Sequence, residues 1–188
     1  MNNYNKKWLL LIVLSIIWGS SFILIKKGLA ELSPIHLGSL RIIFTAFVII
    51  IFSYNSLIKI KKEKWKWIII TAYIGTFFPV YLVGFGQTQI DSGLASILTT
   101  LTPISTLVVG VFFFNLFFTR KQVLGLVIGL IGGFLLLYEG SLNTDSNIYF
   151  AIFIVLTTIG YGTSVNLIKT YLTDIPPAAV TAGIFLSI

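Results

Sequence analysis

The stretch from Trp8 to Lys26 reads WLLLIVLSIIWGSSFILIK and carries no charged side chain before its final lysine. An α-helix needs about 20 predominantly apolar residues to cross the hydrocarbon core of a bilayer. This stretch is long enough for one crossing, and its apolar residues form a continuous block, not the stripe of a soluble amphipathic helix. It therefore predicts a transmembrane helix.

Similar apolar blocks follow along the rest of the chain, separated by short polar connections. The five later blocks are Pro34 to Tyr54, Trp67 to Phe85, Ser92 to Phe118, Gln122 to Tyr138 and Tyr149 to Ile168. A seventh begins near Ala178 and reaches Ile188, which is too short to span. The chain is 56% hydrophobic and 10% charged, whereas a soluble domain has about 25% charged residues. The predicted fold class is an all-α integral membrane protein, a polytopic helix bundle.

Charge and residue chemistry exclude several classes of function. The formal net charge is +7, but the basic residues lie between apolar blocks and not on one soluble face, which argues against a nucleic-acid partner. The chain has no Cys and a single His, His36, so it can form neither a thiolate site nor a multi-histidine metal site. No metalloprotease, P-loop or serine-hydrolase motif occurs. The sequence predicts no metal, no cofactor and no enzyme activity.

Lys and Arg are distributed unequally between the two sides of the predicted bundle. Ten of the thirteen fall on one side, namely Lys6, Lys7, Lys59, Lys61, Lys62, Lys64, Lys66, Arg120, Lys121 and Lys169. Cytoplasmic loops carry an excess of Lys and Arg. The expected location is therefore the cell membrane, in a multi-pass arrangement with a cytoplasmic N-terminus. The basic Lys59–Lys66 loop is interpreted as an orientation signal that contacts the anionic lipid of the bilayer.

The chain contains an internal repeat. Residues Trp18–Lys26 (WGSSFILIK) align with Tyr161–Lys169 (YGTSVNLIK) at an offset of 143, and the same offset maps Pro34 onto Pro177. Five predicted helices separate the two starts, so the second copy begins in the opposite direction across the membrane. This pattern predicts inverted repeats of five transmembrane helices, an architecture found in secondary transporters. Residues 1–140 are the first repeat, and residues 141–188 are the start of a truncated second one.

Several ordered features identify a resemblance to a known family. They are the WGSSF motif at Trp18–Phe22 with Lys26, then Pro34 and Arg41, then Gln87–Pro103 (QTQIDSGLASILTTLTP), then Gln122–Gly125 leading into a glycine-rich helix. In this order the features resemble the EamA-type branch of the drug/metabolite transporter superfamily. The resemblance implies ten helices in two inverted halves, and export of amino acids, other metabolites or drugs. One departure is that Asn115–Thr119 contains no glutamate, although family members often carry one before the basic loop.

Polar residues concentrate in the middle of the fourth predicted span. They are Thr99, Thr100, Thr102, Pro103, Ser105 and Thr106. Pro103 has no N–H, so the carbonyl of Thr99 loses its helical partner. These groups either line a substrate cavity, or the hydroxyls bond their own helix carbonyls and the proline only kinks the helix.

The two copies of the repeat motif supply a second polar set. Its members are Trp18, Ser20 and Ser21 in the first helix and Tyr161, Thr163 and Asn166 in the sixth. One interpretation is a shared substrate site at the membrane midplane, formed by both helices. The other is interhelical hydrogen bonding and small-residue packing.

Arg41 is the one charged residue well inside a predicted span. An intramembrane Arg is costly unless it is paired. It either binds a substrate carboxylate or pairs with Glu31 or Asp91. No Asp or Glu lies deep in any of the six spans, so the sequence names no proton relay.

Three glycines, Gly125, Gly129 and Gly133, form overlapping GxxxG patterns in the fifth predicted span. Such patterns permit close helix contact. Packing within the chain and formation of a homodimer both remain open.

The sequence as a whole predicts a transporter that moves a small-molecule substrate by alternating access. Two other classes are less consistent with the residues. A membrane enzyme needs paired acid–base or metal-binding residues in one layer, and the spans contain none. A non-transporting assembly or sensory subunit needs neither the repeat nor the polar groups at midplane depth.

Overall fold

The computed structural model describes residues 3–57, 60–140 and 147–188, and these ranges contain helices and turns but no strand. The α-helices are α1 Asn3–Gly28, α2 Pro34–Leu57, α3 Trp65–Ala72, α4 Phe78–Gln89, α5 Ser92–Thr99, α6 Thr102–Phe114, α7 Arg120–Gly140, α8 Ala151–Tyr171 and α9 Pro177–Leu186. Short 3₁₀ turns, Lys62–Lys64 and Ile148–Phe150, precede α3 and α8. A π-helical segment, Tyr73–Phe77, joins α3 to α4.

Within the described ranges, five helical segments are long and apolar enough to cross a membrane. They are Lys6–Gly28, Pro34–Ser53, Lys62–Gln89, Ser92–Phe114 and Ala151–Tyr171. The predicted polytopic helix bundle is confirmed at this level. The fifth predicted span forms helix α7, several of whose side chains lie outside the description. The predicted loop that follows it lies mostly in residues 141–146, which are also outside.

The third span is continuous but irregular in its middle. Its π segment, Tyr73–Phe77, ends directly before Phe78, whose N–H donates to the carbonyl of Tyr73. Pro79 follows and is buried. Because proline cannot donate a backbone hydrogen bond and its ring crowds the preceding turn, the widened turn accommodates it.

The predicted block Ser92–Phe118 forms two helices, α5 and α6, which together make the fourth span. Helix α5 ends at Thr99, and the N–H groups of Thr100 and Leu101 make short-range bonds to carbonyls three residues earlier, at 2.9 and 3.1 Å. Helix α6 then ends at Phe114, four residues earlier than predicted. Asn115 adopts a left-handed conformation with φ 50°, which asparagine tolerates better than most residues and which terminates a helix.

Helix α8 lies at the centre of the described bundle. It packs against α6, α4 and the π segment, and also touches α3 and α5. Its buried polar residues, Thr157, Thr158 and Asn166, face these neighbours. Helices α1 and α7 instead expose long apolar surfaces.

Contacts along α8 define the relative directions of the spans. Gly86 lies beside Ile154 and Gly75 beside Ser164, so α8 runs antiparallel to the third span. The end of α1 lies beside the end of α4, because Lys26 donates to the carbonyl of Ile90 at 2.8 Å. Helix α1 is therefore parallel to the third span and runs opposite to α8.

The turns that follow α1 and α8 correspond at the repeat offset. The N–H of Leu29 donates to the carbonyl of Ile25 at 2.9 Å, and the N–H of Leu172 donates to the carbonyl of Ile168 at 3.0 Å. Helix α2 begins at one proline of the repeat and α9 at the other, and these two helices pack extensively against each other.

Candidate functional site

The π segment of the third span and helix α6 of the fourth span both meet the middle of α8 at glycines. A Cβ atom on Gly160 would lie 2.5 Å from the carbonyl oxygen of Ile74 and 3.2 Å from the ring of Pro79. A Cβ atom on Gly162 would lie 2.6 Å from the backbone nitrogen of Thr106. Only glycine permits such close approach of three backbones. Two interrupted spans are thus held against one point near the centre of α8.

Hydrogen bonds made by side chains join α6 to α8 beside these glycines. Ser105 Oγ and Thr158 Oγ1 lie 3.0 Å apart. Asn166 is 1% exposed and its Nδ2 donates to the carbonyls of Thr106 at 2.8 Å and Gly162 at 3.0 Å. Of the residues proposed from sequence, the structure therefore places Ser105 and Asn166 in one packed interface.

The remaining hydroxyl groups of the fourth span bond their own turn. The hydroxyl of Thr102 donates to the carbonyl of Thr99 at 2.7 Å, the same carbonyl that Pro103 cannot serve. The hydroxyls of Thr99 and Thr100 each donate to a carbonyl three residues earlier, both at 2.6 Å. These local bonds satisfy carbonyl groups around the break from within the fourth span, without a long-range partner.

The WGSSF motif of α1 occupies a more open place. Trp18 is 68% exposed. Ser20 and Ser21 donate to carbonyls three residues earlier, at 3.1 and 2.6 Å, and Thr163 of α8 likewise donates within its own helix at 2.8 Å. Helix α1 packs mainly against α5 and α4, so the two copies of the motif are not brought into one packed interface.

Arg41 of α2 is partly buried and interacts electrostatically with Tyr161, halfway along α8. Among the described side chains, it forms no ion pair with Glu31 or Asp91, which was one of the two expectations. The carboxylate of Asp91 instead accepts a hydrogen bond from the N–H of Leu94 at 2.8 Å and caps α5. Capping is favoured because the first N–H groups of a helix have no partner within it.

Sequence reasoning missed a polar contact that holds α1 to α4. Lys26 Nζ donates to the carbonyls of Gln87 at 2.7 Å and Ile90 at 2.8 Å. Gln87 is fully buried, and its Nε2 donates to the carbonyl of Phe22 at 3.1 Å. Its Oε1 has no partner among the described atoms. The only local signal was a run of polar residues closing an apolar block.

The predicted packing glycines of α7 have open surroundings. No atom lies within 4 Å of a Cβ built on Gly125 or Gly129, so neither contacts another helix of the described chain. The surroundings of Gly133 lie outside the description. Among the described residues, no group of three or more His, Asp or Glu side chains is placed to hold a metal ion.

Comparison with known proteins agrees with this architecture. The profile of the "EamA-like transporter family" matches residues 6–138. An "Uncharacterized transporter" of Archaeoglobus fulgidus is 31% identical over 184 residues, which cover 95% of this chain and 63% of that protein. A "Probable amino-acid metabolite efflux pump" of Salmonella typhimurium is 32% identical over 139 residues, covering 73% of this chain and 44% of that protein.

The homologous pump of Escherichia coli carries the same name and is 28% identical over 138 residues, again 73% of this chain and 44% of that protein. The chain thus spans between 44% and 63% of the length of these relatives. No solved structure matches it. The matched family profile covers most of the chain, from the start of α1 to the end of α7, and the chain belongs to the EamA-like transporter family of membrane transporters.

Proposed function

We propose that this protein exports a small organic solute across the cell membrane by alternating access. The solute class that we favour is an amino acid or a related metabolite, with drugs as a wider possibility. Two relatives named as amino-acid metabolite efflux pumps support this choice. Their names belong to those proteins, and the extension to this chain is our own.

The observation that carries the proposal is the meeting of two interrupted spans at the middle of α8. The π segment Tyr73–Phe77 lies against this helix at Gly160, and helix α6, which follows the break at Thr100–Leu101, lies against it at Gly162. Irregular backbone at membrane depth is tolerated where protein buries it or where it lines a water-filled path. Discontinuous helices at the midplane are typical of the substrate sites of secondary transporters. A passive membrane anchor needs none of these features.

We further propose that residues 1–140 and 141–188 belong to two inverted repeats, in a full-length protein of ten helices with a cytoplasmic N-terminus. The opposite directions of α1 and α8 support this arrangement, as do the matching turns at the repeat offset. Helices α2 and α9, equivalent in the two copies, pack against each other. Alternating access then consists of movement of one repeat against the other.

The solute path in this proposal has two parts. Arg41, which lies within electrostatic range of Tyr161, supplies a positive charge within the membrane, and it has no carboxylate partner among the described side chains. Such a charge suits the carboxylate of an amino acid. The open face of α1, with Trp18 and Ser20, supplies an aromatic surface and a hydroxyl. Ser105 and Asn166 hold the helices around the path.

The test is export of radiolabelled amino acids from cells that overproduce the protein. We expect Arg41→Gln to abolish saturable export while membrane abundance is unchanged, and Arg41→Lys to retain part of it. The matched control is Arg120→Gln, which removes one positive charge from an exposed position at the start of α7 and leaves export intact. Export by Arg41→Gln at the rate of the parent would remove Arg41 from the path.

A further inference from the structure

The cytoplasmic end of the third span contains a cavity that the transport proposal does not use. Its volume is about 430 Å³, and its lining residues are Lys62, Glu63, Lys64, Lys66 and Trp67. We call it the lysine–tryptophan pocket. A second cavity of about 280 Å³ shares Lys64 with it and continues towards the α8–α9 turn at Asp174.

The charges around the lysine–tryptophan pocket are unequally compensated. Lys64 Nζ lies 2.7 Å from Asp174 Oδ1 and also donates to the carbonyl of Tyr171 at 2.7 Å. Lys62 and Lys66 are exposed and form no ion pair with any described carboxylate. Glu63 is the one acid in the wall, and it is exposed too. The pocket therefore has an excess of positive charge that faces outward.

The aromatic wall of the pocket is held in place. The rings of Trp67 and Tyr171 stack with their centroids 3.6 Å apart and their planes 1° apart. Lys66 Nζ lies 5.1 Å from the centroid of the Trp67 ring. A fixed indole with a cation above it, at the first residues of a membrane span, lies where the headgroups of phospholipids lie.

The surface next to the pocket indicates the source of the anion. Ile69 and Ile70 follow directly along α3 and are 43% and 39% exposed. They extend from the lysines towards the apolar part of the span, so an acyl chain could lie along them while its phosphate meets the ammonium groups. A free phosphate ion would use the lysines alone. Clusters of Lys next to a span attract anionic lipid.

We infer that the lysine–tryptophan pocket binds the phosphate of an anionic phospholipid, with Lys62 and Lys66 as its charged contacts and Trp67 as its wall. Lys64 is occupied by Asp174 and positions the pocket against α8. This inference rests on the placement of the third span in a membrane and is independent of what the protein transports.

The test is native mass spectrometry of the purified chain in neutral detergent, titrated with either phosphatidylglycerol or phosphatidylcholine. We expect tighter binding of phosphatidylglycerol, and about a tenfold loss of that affinity in Lys62→Gln/Lys66→Gln. The matched control, Arg120→Gln/Lys121→Gln, removes two exposed charges at the start of another helix on the same predicted side, and should change the affinity less than about twofold. Thermal melts confirm that both double variants are folded.

A third variant is expected to raise the affinity for phosphatidylglycerol. Glu63→Gln removes the one acid of the wall and should tighten the binding of phosphatidylglycerol, which no loss of folding could imitate. Equal affinity for the two lipids, or equal losses in the two double variants, would overturn the inference. Displacement of phosphatidylglycerol by millimolar inorganic phosphate would also overturn it, because the pocket would then be a site for free phosphate.

Discussion

Helices α1 and α8 carry copies of one motif, but α1 is mostly exposed and α8 is much more buried. In the span windows of the two helices, 6% of α1 is buried against 44% of α8. Gly19 of α1 has no atom within 4 Å of an added Cβ, whereas a Cβ on Gly162, its counterpart, would lie 2.6 Å from a backbone nitrogen of α6. The motif itself therefore does not determine packing. Within the described residues, neighbouring helices surround α8 and leave the polar face of α1 open.

The largest expected effect is at the paired glycines. Gly162→Ala should destabilise the protein by about 1–3 kcal/mol, because the added methyl meets the α6 backbone, which cannot move aside as a flexible side chain would. Gly19→Ala should have the opposite sign and stabilise by up to about 1 kcal/mol, since alanine favours a helix and the space is open. Thermal unfolding of the two purified variants measures the difference. Equal shifts for both would mean that α8 is not packed as described.

A smaller effect is expected from the buried amide of α8. Asn166→Ala removes the hydrogen bond from Nδ2 to the carbonyl of Thr106, and interhelical bonds of this kind are worth about 1 kcal/mol. The matched change in α1 is Ser20→Ala, where the hydroxyl bonds only its own helix. We expect its unfolding temperature to stay close to that of the parent. A larger fall in unfolding temperature for Ser20→Ala than for Asn166→Ala would contradict the contrast between the two helices.

The smallest expected effect is at the C-terminal end of α8. The carbonyl at the end of α8 receives its hydrogen bond from Lys64, which also binds Asp174. The hydrogen bond from Lys64 Nζ to Asp174 Oδ1 lowers the pKa of the Asp174 carboxyl below its ordinary value. The bond therefore adds stability that is present above the ordinary pKa of Asp, about 3.9, and is lost as the pH falls through the lower pKa of the folded state.

Asp174→Asn tests this end contact. The variant should unfold slightly more easily than the parent at pH 7, and the difference should disappear at the acid end of a pH series. The effect is small because the carboxylate is exposed to solvent. A difference that grew as the pH fell would contradict the assigned interaction.

The sequence predicted those parts of the fold that depend on local properties. Apolar length located the spans, and Pro103 correctly marked a break in the fourth. The left-handed end at Asn115 and the π-helical form of the turn before Pro79 were not predicted, because both depend on how neighbouring residues accommodate a change in the helix. The repeat gave the correspondence of Pro34 with Pro177 at the start of two helices.

The site was less predictable because its contacts join distant parts of the chain. Ser105 and Asn166 were identified as polar residues inside spans, but their partners lie 53 and 60 residues away. Lys26 was noted for the repeat and for the family resemblance, while its partner carbonyl on Gln87 is 61 residues away. For Arg41 an acidic partner was one expectation, and the structure instead brings Tyr161 near it. Only packing decides between such alternatives.

The central claim is that the open face of α1 lines a path for solute while the face of α8 that contacts the third span is sealed by packing. The chain contains no cysteine, so single cysteines can be placed without background, at Ser20 in α1 and at Ser164 in α8. The decisive measurement is their reaction rate with a membrane-impermeant thiol reagent in intact membranes. We predict that Ser20→Cys reacts and that a transported amino acid slows the reaction, whereas Ser164→Cys, which faces Gly75, does not react. An unreactive Ser20→Cys would place that face in lipid and contradict the account.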